Sequence, residues 1–188
     1  MSETGHNHHG FALHVPWAVW LSIAAFLLIG LFFPGESVPA VFAIAVVLGQ
    51  VLLQDFIHYL GWEKAVHLEL LYPALVVYAY FGHLTWVLIL GSLGSYWNKY
   101  TFPVEFDPLN IIKDGVARIL IPVMIIPSFW ETMTLAQFGI IAVILYNAVW
   151  PIVNTPLEHG HFQVWELHVH MANMVVWVTA FFVLGLTA

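Results

Sequence analysis

The chain has no cysteine, and only four of its 188 residues are lysine or arginine. The first absence excludes disulfides, iron–sulfur clusters and thiolate zinc sites. The second leaves no basic patch, and with a formal charge of −7 this argues against nucleic acid as a partner. Charged residues of all kinds make up 8%, against about 25% in a soluble domain. A separate soluble domain has no room. No internal repeat is visible.

What is present is 61% hydrophobic, with a mean hydropathy of +0.88. A chain this apolar does not stay in water, and each membrane span needs about 20 residues. The expected fold is all-α: a polytopic transmembrane helical bundle of six spans, or five plus a re-entrant segment. Residues 1–15 read as a polar, His-rich tail without Lys or Arg, and residues 16–188 as one transmembrane domain. A secretory signal starts with basic residues and ends at a cleavage site. Neither is evident, so the first apolar run reads as a retained helix.

The apolar runs place the spans. Residues 17–33 lie between Pro16 and Pro34 and form the first. Ser37 is placed to cap the second, which runs to about Leu60. The third covers roughly 66–93. Residues 95–114 are the longest polar stretch. Lys99, Lys113 and the nearby Arg118 are three of the four basic residues, which assigns this loop to the cytoplasm and the N-terminus to the outside. Residues 111–130 contain Pro122 and Pro127 and read as a kinked span, with re-entry as the alternative. Residues 135–153 form a clear span. Thr155-Pro156-Leu157-Glu158 reads as a capping box for the last helix, whose membrane part is about 164–186.

Against this background the eleven histidines stand out. Polar groups are costly in hydrocarbon and are kept where they have partners or work, and imidazole ligates transition metals near neutral pH. On the last helix His159, Glu166, His170 and Asn173 fall within a stripe of about 60°, with His161 and His168 on the opposite side. On the second span Gln50, Gln54 and His58 share a face with Asp55 beside them. With His67 shortly beyond, Asp55 and His58 make a two-His-one-carboxylate set that suits copper, zinc or non-haem iron. The blander readings are hydrogen bonds between helices for the last-helix stripe, and an interfacial cluster in which Asp55 pairs with Lys64 or accepts from Trp62.

The third span carries Glu69, Tyr80 and His83 on one face. His83 is expected near mid-bilayer, as a structural hydrogen-bond partner or as a haem ligand opposite His168 or His170. His6, His8 and His9 offer a looser metal-capturing tract, and His14, just before the first span, is placed to reach the His58 and His67 cluster. Trp17, Trp20, Trp62, Trp97, Trp130 and Trp165 suit interfacial anchoring. Tyr72, Tyr78 and Tyr80 read as packing.

With six spans the Asp55/His58/His67 group and the His159/Glu166/His170 group lie on opposite faces of the membrane. With five they share a face and can converge on one centre. The leading expectation is a subunit of a multi-subunit membrane redox metalloenzyme, of oxygenase or oxidase type, holding copper or iron and working with other membrane subunits in the lipid bilayer. The alternatives are a haem b electron-transfer subunit, a metal or proton carrier, and an accessory subunit whose histidines only form hydrogen bonds.

Overall fold

The structure, a computed structural model, describes residues 17–61, 68–101, 119, 132–159 and 164–187; for 18, 94–101, 149–159 and 164–166 the description is of the backbone. Among the described residues every regular element is helical: α1 (Trp17–Phe32), a 3₁₀ turn (Pro34–Glu36), α2 (Ser37–Tyr59), α3 (Leu71–Tyr80), α4 (Leu84–Thr101), α5 (Leu135–His159) and α6 (Val164–Thr187).

The α1–α2 hairpin turns through Pro34–Glu36, and this turn passes directly into α2. Ser37 is therefore the first residue of the helix rather than its cap, and its hydroxyl donates back to Pro34 O at 2.8 Å. The two helices approach closely at Gly30 and Ala40, where even a methyl group on Gly30 would sit 3.2 Å from Ala40 Cβ. The inward stripe of α2, Ala43, Val47, Gln50, Gln54 and Ile57, follows the three- and four-residue spacing of one helix face.

The expected single span over 66–93 is two helices. α3 stops after 10 residues because Gly82 adopts φ +77°, a left-handed conformation that glycine takes at little cost. The Gly82 N–H bonds Ala79 O at 3.0 Å and the His83 N–H bonds Tyr78 O at 2.9 Å, the paired bonds of a Schellman C-cap. The chain then reverses. Tyr78 Oη donates to Pro39 O at 2.5 Å, and Trp86 Nε1 donates to Glu36 Oε2 at 2.7 Å, so this turn sits beside the start of α2. From there α4 runs back along α3, where a side chain at Gly91 would meet Leu75 and Ile119.

Helix α5 begins at the same end, with Tyr80 Oη donating to Met133 O at 3.1 Å. Its partner α6 is antiparallel: Gly185 faces Ala136, and Gly139 lies flat against the Phe181 ring. The bundle thus has a turn end, formed by 34–39, 81–84, 133–136 and 184–187, and a His58 end, where α2 finishes and α6 starts. α3 lies at the centre with eight of its ten residues buried, as expected of a helix that is apolar all round. Two helical stretches, Pro34–Tyr59 and Leu167–Thr187, are long and apolar enough to cross a membrane.

Candidate functional site: a polar cluster where a crossing loses its helix

Leu68, Glu69 and Leu70 lead into α3 without helical structure. Buried backbone N–H and C=O groups need partners, and here side chains supply them. Gln50 of α2 accepts from Leu70 N at 2.6 Å and donates from Nε2 to Leu68 O at 3.4 Å, pairing through its amide as a neighbouring strand would. Asn173 of α6 accepts from Glu69 N at 3.0 Å and turns its Nδ2 to Val169 O at 3.2 Å. Three residues of non-helical chain are thereby clamped between two helices. Gln50, Gln54, Glu69, Asn147 and Asn173 are between 4% and 7% exposed, so this polarity is interior.

The cluster continues across α5. Asn147 Nδ2 donates to Val143 O at 3.0 Å, which turns its Oδ1 toward His170 Nδ1, 3.1 Å away. An amide oxygen only accepts, so the bond places the imidazole proton on Nδ1. In that tautomer Nε2 carries the lone pair, and a histidine oriented in this way from its second nitrogen is the arrangement found around metal ions. The His170 ring meets Tyr146 edge-on at 6.2 Å between centroids, and Tyr146 stacks on Tyr72 at 3.9 Å and 14°. Tyr72 Oη donates to Ala142 O at 3.0 Å. An aromatic ladder therefore runs from the first turn of α3 through α5 to α6.

The anticipated site residues distribute as follows. Asp55 is partly buried on α2, and His58 is exposed on its last turn. His170 is partly buried and His168 exposed on α6. The backbone of His159 ends α5 and that of Glu166 lies in the first turn of α6, while both side chains lie outside the described residues. So do His67, Lys64, Trp62, His161, the four tail histidines and, apart from Ile119, residues 111–130.

His83 is not at mid-depth. It lies at the turn end, its C=O accepting from Trp86 N and Val87 N, because Gly82 turns the chain just before it. His168 is at the other end of the bundle. Among the described residues no three His, Asp or Glu side chains gather closely enough to hold one ion.

Splitting the third span also changes which elements share an end. Asn173 of α6 reaches Glu69, whose neighbours Leu68 and Leu70 are held by Gln50 of α2. Helix α2 finishes, and α6 begins, at the same end of the bundle. The opposite-face arrangement expected from six spans does not hold for these two helices. Reading the residues alone misses Tyr146 and Asn147, although an asparagine inside the apolar run 138–153 is itself a signal of an interior polar contact. No protein family, curated protein or solved structure shows a significant match to the chain.

Proposed function

We propose that the chain is an integral membrane subunit of a redox metalloenzyme complex of oxygenase or oxidase type, with a copper or iron ion at the His58 end. One observation supports this reading: α2 finishes and α6 starts at the same end of the bundle, so Asp55 and His58 lie at the end from which His170 projects. Asp55, His58, His67, His159, Glu166 and His170 are the candidate ligands, and His170 has the bond to Asn147 that orients a ligating imidazole. Mixed carboxylate and imidazole donors favour non-haem copper or iron. A haem held by His83 and His168 would have to join opposite ends of the bundle.

Embedding in lipid is supported by the outer surfaces. Leu27, Leu28 and Leu31 on α1, and Val175, Phe182, Val183 and Leu186 on α6, are all exposed. A soluble monomer rarely presents so continuous an apolar surface. Other membrane subunits as partners are part of this proposal.

The test is metal content and an optical spectrum of the intact complex purified from its membrane. Copper or iron in stoichiometric amount, cut by half or more in Asp55→Asn/His170→Ala, is the expected result. Metal content and activity untouched by that pair would overturn the reading and leave an accessory subunit.

A second reading, a metal or proton carrier, is favoured by the non-helical 68–70 segment. Broken helices around a buried polar site recur in transporters. Metal-dependent flux in vesicles containing the complex distinguishes it.

A further inference from the structure

On the outside of α3 lies an open groove of about 410 Å³, walled by α2 and α6. Its floor is Leu70, just before α3, with Pro73, Ala74 and Val77 of α3. Phe42 and Val46 form one wall, and Trp177, Phe181 and Leu184 the other. Small residues keep it open: Ala45, Ala74 and Ala180 face the trough where larger side chains would fill it.

The shape of the groove selects its occupant. Leu70 to Val77 and Trp177 to Leu184 each span seven residues, so the groove runs about 10 Å along the helices. One leaflet of the hydrocarbon core is about 15 Å thick. The groove begins near the turn end, beside Phe42 and Leu184. It stops at Leu70, where helix gives way to the segment held by Gln50 and Asn173. It is therefore confined to one half of the bundle and lies parallel to the direction of lipid chains. Among the described residues no side chain lining it is charged or carries a hydroxyl, amide or carboxylate, so this lining suits a bare chain entering from one leaflet rather than a headgroup.

We propose that this groove seats one acyl chain of a membrane phospholipid from the leaflet at the turn end, with the methyl end of the chain against Leu70. The proposal rests on the membrane reading above and is independent of the metal. A chain seated there covers α3, the central helix, at the place where α2 and α6 leave it open. It also separates the clamped polar segment from the bilayer. Ala180→Leu and Ala45→Leu, one on each wall, fill the trough.

Trp177 reports occupancy. Its Nε1 is buried without a hydrogen-bond partner among the described residues, so Trp177→Phe removes its emission without removing a bond. The experiment reconstitutes the full-length protein, in its complex, into vesicles carrying a small fraction of phospholipid with brominated acyl chains. The Trp177 contribution is the emission difference between wild type and Trp177→Phe. A seated chain quenches this contribution several-fold more than the brominated fraction predicts, and Ala180→Leu or Ala45→Leu returns quenching to that fraction. Quenching in simple proportion to the brominated fraction in the wild type overturns the proposal. So does saturable quenching by a brominated alkane but not by the phospholipid, which would mean a free hydrocarbon. Flotation with the vesicles checks embedding separately: a chain that does not float overturns the membrane reading itself, whereas loss of metal leaves the quenching result intact.

Discussion

The backbone N–H of Glu69 donates to Oδ1 of Asn173, 3.0 Å away and 104 residues further along the chain. This bond ties the non-helical segment before α3 to the last helix, and with Gln50 on the other side it determines how α2, α3 and α6 meet. Asn173→Leu removes the acceptor and leaves a buried N–H unsatisfied, which costs about 1–3 kcal/mol. Gln50→Leu strips the same segment of a donor and an acceptor and carries a similar cost. Because both side chains hold the same three residues, the double variant loses less than the two single losses added together. Unfolding midpoints of the four proteins in one detergent check this, and strict additivity would show that the two clamps act separately.

Gly82 reverses the chain between α3 and α4 with φ +77°. Gly82→Ala forces a methyl group into the left-handed region at a cost of about 1–2 kcal/mol. Gly82→Asn is better tolerated, since asparagine also ends helices in this conformation. Thermal unfolding should rank wild type above Asn and Asn above Ala. Equal stabilities would argue against a reversal at this residue.

The α5–α6 contact depends on Gly139 lying against the Phe181 ring. A methyl group there cannot fit unless the ring moves, and overpacking of this kind costs about 1–3 kcal/mol. Gly139→Ala should lower the unfolding midpoint, and adding Phe181→Leu should recover part of the loss. Failure of the second change to help would show that α5 and α6 are not packed through this pair.

Asn147 Oδ1 lies 3.1 Å from Nδ1 of His170, an anticipated metal ligand. Asn147→Leu keeps the apolar volume but releases the imidazole from its fixed tautomer. Loss of such an orienting partner lowers metal affinity about 10–100-fold, and metal titration of the stripped protein would measure it. His83→Ala, at the opposite end of the bundle, should leave the titration unchanged. Loss of metal on changing His83 would contradict the proposed location.

Much of this architecture is legible in the residues. The apolar runs mark α1, α2, α5 and α6, because a helix apolar along its whole length declares itself in hydropathy alone. Gln50, Gln54, His170 and Asn173 are visible as polar residues on apolar helices. What they do is not. Gln50 is visible as part of a metal-side face, yet it bonds a backbone segment 18 to 20 residues away. Asn147 stands inside the apolar run 138–153, which reads as a span as a whole and does not mark out its single amide.

The third span shows the boundary most clearly. Hydropathy sums over residues and has no direction, so a run that descends, turns and returns reads the same as one that continues. A single glycine at position 82 makes that difference between α3 and α4. Composition and periodicity by themselves established helices and marked Gln50, Gln54 and Asn173 among the interior polar groups, because those depend on local transfer energies and a 3.6-residue repeat. The reversal at Gly82, the clamp on 68–70 and the ladder from Tyr72 to His170 were decided only in the tertiary structure, since each joins groups whose distance along the chain no local rule can see.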